Sequence, residues 1–316
     1  MTNETNGILI VDKPQGITSA RVISRIKRIS GINKIGHTGT LDPMATGIMI
    51  CTINRATRLS RFFLASPKKY VAVLKLGVET DTLDATGRIV ATHQIDTVSE
   101  HAVVAACKQF EGEIDQIPPA YSALKHNGVP LYKYARQGTP VIKPARKVMI
   151  SHIKIIDINL PEVRFEVRCS SGTYIRTLCA DIGNTLGCGG HLTELKRTEC
   201  GGFGMQDAIP LTDIESHQSL ESFKNRLIPM SDALSEMTSY VADNSLMEKI
   251  KYGKSISLTD IDIDIQTEIQ SDIRAIGKDA DNAFIKIIND KNQLLAVLNP
   301  DESNDRYNYC CVFHNP

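Results

Sequence analysis

Asp42 is the first residue of this sequence whose setting suggests chemistry. It is the only carboxylate between Gly36 and Gly47, a stretch that also holds three glycines, one proline and His37. The residue before a proline favours extended backbone. In this setting Asp42 can cap a turn, or the loop can present it to a substrate as a nucleophile or base. His37 likewise allows two interpretations: it is a hydrogen-bonding residue, or it acts as an acid or base.

Arg176 lies where a helix disfavours a cation. Apolar residues at helical spacing predict a helix from Tyr174 to Leu186, and Thr173 is placed to cap it, so that Arg176 falls in the first turn. The helix dipole disfavours a cation there by a few tenths of a kcal/mol or more. We therefore expect an anion beside Arg176, supplied by solvent, Asp181, a carboxylate from another loop or a phosphate.

Basic and aromatic residues alternate in a segment that runs from about 118 to 147. Its tyrosines are separated by Lys and Arg, and prolines and glycines interrupt regular structure. Lys69 and Tyr70 show the same pairing at the start of a predicted strand. Such interleaving suits stacking on unpaired bases with phosphates held nearby, although a single Tyr at a strand start is usually a core residue.

The charge of the chain is zero overall but unevenly distributed. Residues 1–210 hold 26 Lys and Arg against 18 Asp and Glu, whereas residues 211–316 hold 10 against 18. A basic section of this size indicates either a polyanionic partner or a solvated basic surface.

Composition also argues against several classes of protein. The eight cysteines include no C-x-x-C pair, so we expect reduced thiols, mostly in the core, and no metal site. Apolar runs fall far short of the ~20 residues that span a bilayer, which predicts no membrane segment. The polar start, Met1 to Gly7, lacks the features of a signal peptide, and we expect a cytoplasmic protein.

Regular elements are predicted on both sides of these candidates. Thr18 and Gly31 are placed to begin and end a basic amphipathic helix, and the stretch from Gly36 to Gly47 should be a loop. The remaining predictions are strands at Ile8–Val11, Ile48–Ile53, Tyr70–Leu76, Val163–Cys169 and His191–Thr198, and helices at Ser99–Gln109 and Leu131–Gln137. Short apolar runs separated by turns after residue 240 predict a small β-domain.

Four motifs together resemble a known family. They are Gly-His-Thr-Gly-Thr-Leu-Asp-Pro at 36–43, Asp-Lys-Pro-Gln-Gly at 12–16, Lys-Tyr at 69–70 and Gly-Thr-Tyr-Ile-Arg at 172–176. In this order and spacing they are similar to the bacterial TruB family of tRNA pseudouridine synthases. The resemblance runs from Gly7 to about Phe203.

The resemblance implies a fold and a domain organisation. The fold is α+β: a pseudouridine synthase fold with a mixed, largely antiparallel central sheet, followed by a small C-terminal PUA-like β-barrel. It places a catalytic domain at residues 1–238, with an RNA-gripping arm at about 118–147, and the PUA-like domain at 239–316.

The resemblance also implies roles for individual residues. Asp42 corresponds to the essential carboxylate, Tyr70 to the aromatic ring that stacks on the target base, Arg176 to the partner of the carboxylate and Tyr174 to a neighbour that handles protons. His37 corresponds to a residue that holds the flipped-out nucleotides of the T loop. Further candidates for RNA contacts are Lys13, Lys69, Arg136, Arg146 and Lys196.

The implied reaction converts uridine-55 in the T stem-loop of tRNA to pseudouridine, without a metal or cofactor, by an enzyme expected to be monomeric. One carboxylate suffices, acting as a nucleophile or by assisting proton removal, whereas glycoside hydrolysis usually needs two. Two alternatives remain at this level. One is a pseudouridine synthase that depends on a guide RNA, and the other is a non-catalytic module that binds or folds tRNA.

Overall fold

The computed structural model describes residues 5–216, 220–261 and 284–313. The strands are β1 (Gly7–Lys13), β2 (Ile35–His37), β3 (Thr46–Ile53), β4 (Lys68–Leu76), β5 (Val78–Thr80), β6 (Ile89–Thr92), β7 (Gly112–Gln116), β8 (Lys125–His126), β9 (Val129–Pro130), β10 (Arg146–Asn159), β11 (Glu162–Cys169), β12 (Gly190–Cys200), β13 (Phe203–Gly204), β14 (Ile209–Pro210), β15 (Thr238–Val241), β16 (Ile256–Ser257), β17 (Ile285–Ile288), β18 (Leu294–Asp301) and β19 (Arg306–Val312). The helices are α1 (Ser19–Ser30), α2 (Ser60–Ala65), α3 (Glu100–Lys108), α4 (Leu131–Arg136), α5 (Ile175–Thr185), α6 (Leu211–Glu215), α7 (Leu220–Lys224) and α8 (Asn244–Lys251).

A central sheet of ten strands organises most of the chain. Its order is β14-β1-β3-β12-β4-β11-β10-β7, with β2 paired to β3 and β13 paired to β12. Among its described strands, only the β1–β14 and β3–β12 pairs are parallel. This sheet confirms the predicted α+β class with a mixed, largely antiparallel sheet.

Helix α1 forms as its end signals predict. The Thr18 hydroxyl accepts a hydrogen bond from the Arg21 amide at 3.1 Å, and Gly31 ends the helix in the left-handed conformation with φ of 68°. Val22 and Ile26 are buried, so the apolar side of α1 covers one face of the sheet while its Lys and Arg residues remain accessible.

Three local predictions need correction. The stretch from Gly36 to Gly47 is not entirely a loop, because β2 and β3 take its two ends and leave residues 38–45 irregular. Helix α5 follows Tyr174, which makes no side-chain cap, and the Thr173 hydroxyl donates instead to the Ser170 carbonyl at 3.0 Å. The predicted arm contains the short hairpin β8–β9 as well as its one helix, α4.

The core under the candidate site lies between the sheet and helices α3 and α5. Residues of β4, β11 and α5 meet there, and Leu41 and Met44 from the loop around Asp42 join them. All eight cysteines are free thiols, and every one except Cys310 is buried. This confirms the prediction that the cysteines lie mostly in the core.

A second sheet forms the C-terminal part, with five strands in the order β15-β17-β18-β19-β16. Its residues Leu294, Val297 and Phe313 pack in one cluster with Ile8 and Ile50 of the central sheet. The two sheets thus share a core, and the predicted boundary between 238 and 239 stays a prediction. Residues 262–283 and 314–316 of the predicted PUA-like segment lie outside the described residues. In the ranges that are described, no helix has the length and apolar character needed to cross a membrane.

Candidate active site

The backbone on either side of Asp42 is fixed by the segment from the end of β1 to the first residue of α1. The Ser19 hydroxyl donates to the Leu41 carbonyl at 3.1 Å and accepts from the Leu41 amide at 2.9 Å. The Gly16 amide donates to the Pro43 carbonyl at 2.7 Å. The contact of Gly16 with Pro43 explains why the motif at 12–16 accompanies the motif at 36–43: one holds the other in place.

Lys13 belongs to this support and not to the RNA-facing surface. Its side chain is 0% exposed, and its ammonium donates to the carbonyls of Ile17 at 2.7 Å, Pro14 at 3.0 Å and Pro43 at 3.3 Å. Burial lowers the pKa of Lys13 to about 8, against the charge of Asp42, which raises it. The structure therefore corrects the predicted RNA contact, since a fully buried ammonium cannot reach a phosphate.

Arg176 meets the anion that its position in the first turn of α5 requires. Its Nε lies 2.9 Å from Oδ2 of Asp42, and the Arg176 side chain is only 5% exposed while that of Asp42 is 36% exposed. The Nε–H is not directed at a hydrogen-bond acceptor, so this contact is a close ion pair. The directed hydrogen bonds of the guanidinium go to the carbonyls of Thr82 at 3.0 Å and Tyr121 at 2.8 Å. Arg176 thus places a buried positive charge against Asp42, whose carboxylate stays partly exposed.

A second carboxylate, Asp84, lies on the other side of Arg176. Its Oδ2 is 3.5 Å from a terminal nitrogen of Arg176, and its Oδ1 accepts from the Thr82 hydroxyl at 2.8 Å and from the Thr86 hydroxyl at 2.6 Å. Asp84 is buried. The guanidinium therefore lies between two carboxylates, of which only Asp42 is open to solvent.

The pKa of Asp42 is raised above its ordinary value of 3.8. Burial is the largest cause, the positive charge of Arg176 opposes it, and the negative charge of Asp84 adds to it. A raised pKa makes the carboxylate a better base than an exposed Asp, and the adjacent cation favours its ionised form.

Two tyrosines belong to the elements that carry or adjoin the ion pair. Tyr70 is 9% exposed and packs in the cluster that contains Leu41 and Met44, and burial raises the pKa of its phenol. Tyr174 precedes α5, and its backbone is held at both ends by the Gln116 side chain, which accepts from the Tyr174 amide at 2.7 Å and donates to its carbonyl at 3.1 Å. Tyr70 thus shares a cluster with the two residues on either side of the Asp42–Pro43 pair, and Tyr174 lies two residues before Arg176.

His37 lies at the end of β2, half-buried. Burial is the main cause that lowers its pKa, and the charge of Arg197 lowers it further. Nδ1 of His37 is buried and has no hydrogen-bond partner within the part of the chain that is described. A neutral imidazole contacts RNA by stacking or hydrogen bonding rather than by charge.

The other candidates for RNA contacts differ in their surroundings. Arg136 and Lys196 are exposed, and Arg136 lies over the Tyr132 ring in the arm, 5.4 Å from its centroid. Arg146 lies 5.0 Å from the centroid of Tyr174 and donates to the Gly172 carbonyl. Their predicted contacts stay predictions.

Lys69 does not fit the predicted role. It forms ion pairs with Glu166 and Glu199, each at 3.2 Å. Because successive residues of a strand point to opposite faces, Lys69 also lies on the face of β4 away from Tyr70. The structure gives no support for a phosphate contact by an ammonium that two carboxylates already neutralise.

Three buried polar residues were not among the candidates predicted from the sequence: Asp84, Gln116 and Arg197. Asp84 and Gln116 stand in a polar turn and at the end of a short strand, where nothing in the sequence separates them from solvated neighbours. Arg197 is 1% exposed, and its Nε donates to the Ile48 carbonyl at 2.6 Å. The only signal for it was the Lys-Arg pair in a strand that is otherwise half apolar.

Family models match this chain over most of its length. Residues 27–175 match the model described as TruB family pseudouridylate synthase (N terminal domain), and residues 176–235 match the tRNA pseudouridylate synthase B C-terminal domain. The chain belongs to the TruB family. The resemblance predicted from the four motifs is thereby confirmed.

Three curated TruB relatives illustrate the similarity, each named tRNA pseudouridine synthase B. The protein of Syntrophotalea carbinolica is 44% identical over 78% of this chain and 81% of the relative. That of Geotalea uraniireducens is 42% identical over 84% and 86%, and that of Haemophilus influenzae is 36% identical over 90% of each chain.

Solved structures confirm the pseudouridine synthase fold. A chain of a Cbf5–Nop10–Gar1 complex is 27% identical, with a TM-score of 0.69 over 93% of this chain and 78% of that one. A chain of an H/ACA RNP bound to a substrate RNA containing 2′-deoxyuridine has a TM-score of 0.72 at 24% identity, over 98% and 85%. At 24% identity, the similarity to the chain of the H/ACA RNP concerns the fold alone.

Proposed function

We propose that this chain converts uridine to pseudouridine in tRNA, at uridine-55 of the T stem-loop, acting as a monomer in the cytoplasm. The observation that carries the proposal is the ion pair between Asp42 and Arg176 at 2.9 Å, in a chain that belongs to the TruB family. A module that only binds RNA has no use for a carboxylate held half-open against a buried guanidinium, because burying charge costs stability.

The reaction needs one ionised carboxylate and a mobile base. The C1′–N1 bond breaks, the base rotates, C1′–C5 forms, the proton on C5 leaves and N1 takes up a proton, so that the product is an isomer. Asp42 attacks C1′ or assists proton removal, and both routes require its ionised form. Since one carboxylate suffices for either route, we propose no metal or organic cofactor.

Arg176 favours the ionised form of Asp42 that this chemistry requires. Its charge favours ionised Asp42 against the effect of burial, and its directed hydrogen bonds to two backbone carbonyls fix its position. The guanidinium therefore keeps a positive charge at a fixed position beside Oδ2 of Asp42.

The base reaches this site by leaving the helical stack. Extrusion costs a few kcal/mol, and stacking on an aromatic ring recovers roughly 1–3 kcal/mol. Tyr70 is the ring proposed for that stacking and Tyr174 the neighbour that handles protons.

Recognition of tRNA is proposed for the basic section. His37 holds extruded nucleotides, and Arg136, Arg146 and Lys196 contact phosphates. We retain the two-domain division at 1–238 and 239–316, with the gripping arm at about 118–147. Phosphate contacts of this kind make affinity fall steeply as salt rises.

Release of tritium from C5 of uridine tests the proposal. Unmodified tRNA transcripts labelled at C5 are incubated with the full chain, without guide RNA, and the modified position is mapped. Release that maps to position 55 and vanishes in Asp42→Asn is expected. Binding without release would identify a non-catalytic module, and release only after a guide RNA is added would identify the guide-dependent class.

A further inference from the structure

The central sheet consists of two parts that meet at a narrow junction. β3 pairs with β1 from Gly47 to Ile53, and β12 pairs with β4 along most of its length. Between β3 and β12, however, only two residue pairs form, Thr46 with Lys196 and Gly47 with Arg197. We call these two pairs the seam.

The proposed catalytic groups lie on both sides of the seam. Asp42 is in the loop that enters β3, whereas Tyr70 is on β4 and Arg176 follows β11. The distance between Asp42 and its partners therefore depends on how two parts of a sheet are held together by two pairs of residues.

Arg197 crosses the seam. It belongs to β12, yet its Nε donates to the Ile48 carbonyl at 2.6 Å and a terminal nitrogen donates to the Gly39 carbonyl at 3.2 Å. These carbonyls lie before and after Asp42 in the chain. On its other side Arg197 is the cross-strand partner of Tyr70. Arg197 thus connects both ends of the Asp42 loop to β12, which pairs with the strand that carries Tyr70.

The backbone at the seam is packed closely around this contact. A Cβ on Gly47 would lie 2.2 Å from the Arg197 carbonyl oxygen, and Gly47 has a φ of +95°. Any other residue at 47 would be strained and would push the strands apart. Gly47 therefore permits the approach, and Arg197 holds it.

Burying the charge of Arg197 lowers the stability of the fold, so stability alone does not explain this side chain. The side chain is 1% exposed, and no carboxylate in the described ranges forms an ion pair with it. Backbone carbonyls accept its directed hydrogen bonds, and its charge opposes the rise in the pKa of the Tyr70 phenol. A buried guanidinium without a carboxylate is less favourable for folding than a packed apolar chain of similar volume, but it can direct donors to two acceptors at fixed angles.

We propose that Arg197 is a positioning residue, which sets Asp42 against Tyr70 and Arg176 by bonding to Gly39 and Ile48 across the seam. The role is tied to the proposed function, because it concerns the geometry of that site. Arg197 itself does not touch the substrate. Its loss should lower the rate of the chemical step and leave tRNA affinity nearly unchanged.

The kinetic test compares Arg197→Met and Arg197→Lys with Lys286→Met. Lys286 is a matched control: it is a buried cation whose ammonium donates to the carbonyls of Ser231 at 3.0 Å and Leu234 at 2.9 Å, far along the chain from Asp42. We expect Arg197→Met to lower the single-turnover rate about 100-fold, the effect of a displacement of about 1 Å. Arg197→Lys should recover part of the rate, Lys286→Met should keep it, and tRNA dissociation constants should change less than about threefold.

Crystal structures of the wild type and of Arg197→Lys provide a readout that needs no activity. Displacement of the Asp42 carboxylate from Arg176 in the variant is expected. If that ion pair is unchanged in the variant, or if the rates of Arg197→Met and Lys286→Met fall equally, the positioning role is wrong. If the wild type forms no pseudouridine, the proposed function fails, and the structures still decide the role of Arg197.

Discussion

Two clusters in this protein each place one cation between two carboxylates. They are Arg176 with Asp42 and Asp84, and Lys69 with Glu166 and Glu199. Their separations are similar, at 2.9 and 3.5 Å in the first and 3.2 Å for both pairs in the second. Their burial is not: the side chain of Arg176 is 5% exposed and that of Lys69 is 27% exposed.

The difference shows how burial changes the consequence of the same charges. Water screens the outer cluster, and exposed pairs typically contribute about 0–1 kcal/mol. In the inner cluster burial raises the pKa of Asp42 while Arg176 opposes the rise. An interaction of this kind is several-fold stronger near a protein interior than in bulk water. The inner cluster can therefore tune a reacting group, whereas the outer cluster cannot.

The largest effect on the inner cluster is expected from Asp42→Asn. The amide matches the carboxylate in size but is neither a nucleophile nor a base, so we expect the rate of pseudouridine formation to fall by at least about 10³-fold with tRNA affinity nearly intact. Tritium release and filter binding measure the two effects. A rate within about tenfold of the wild type, a loss of only ~1.4 kcal/mol, would contradict the role of Asp42.

Arg176→Lys should have the next largest effect. An ammonium keeps the charge but cannot hold Thr82, Tyr121 and Asp42 at once, so we expect a rate loss of about 100-fold. Thermal unfolding serves as the control, because its midpoint should move far less than the rate. If the free energy of unfolding fell by as much as the transition-state stabilisation, Arg176 would be a structural residue only.

Asp84→Asn tests the coupling between the two carboxylates through pH. The rate should fall as pH falls through the raised pKa of Asp42, since only the ionised form reacts. Asp84 contributes to that rise, so its removal should move the acidic limb of the rate profile to lower pH, along with a roughly tenfold loss of rate at neutral pH. A limb that stays in place, or that moves to higher pH, would contradict the coupling.

Lys69→Met should have the smallest effect. Its two carboxylates already neutralise the ammonium, so we expect the free energy of unfolding to change by less than about 1 kcal/mol and the affinity for tRNA by less than about threefold. Arg136→Met in the arm is the matched comparison, since its cation faces no carboxylate among the described residues. A larger loss of affinity in Lys69→Met would restore its predicted RNA contact.

Local signals predicted much of the fold. α1 begins after Thr18 and ends before Gly31, and the strand predicted at Tyr70 lies within β4. These elements depend on caps and on side-chain spacing, which act between residues near in sequence. The expectation of an anion beside Arg176 had the same origin, in the dipole of its own helix, and the structure supplies Asp42.

Contacts between side chains that are far apart in the sequence could not be predicted from neighbouring residues. Lys13 and Lys69 look alike in the sequence, yet one is buried among carbonyls and the other is exposed between carboxylates. Asp84 stands in an ordinary polar turn until the fold places Arg176 beside it. Side-chain burial depends on what packs against a strand from elsewhere in the chain, and no short-range pattern carries that information.

Four motifs were enough to predict the family, the candidate carboxylate and its cation, because residue types and their order can be read directly along the chain. How these groups meet depends on the fold, since they lie on two parts of a sheet that join at Thr46 and Gly47. A sequence shows which residues can react. The distance between them is set by long-range strand pairing and by a buried guanidinium whose acceptors, Gly39 and Ile48, are about 150 residues away in the chain.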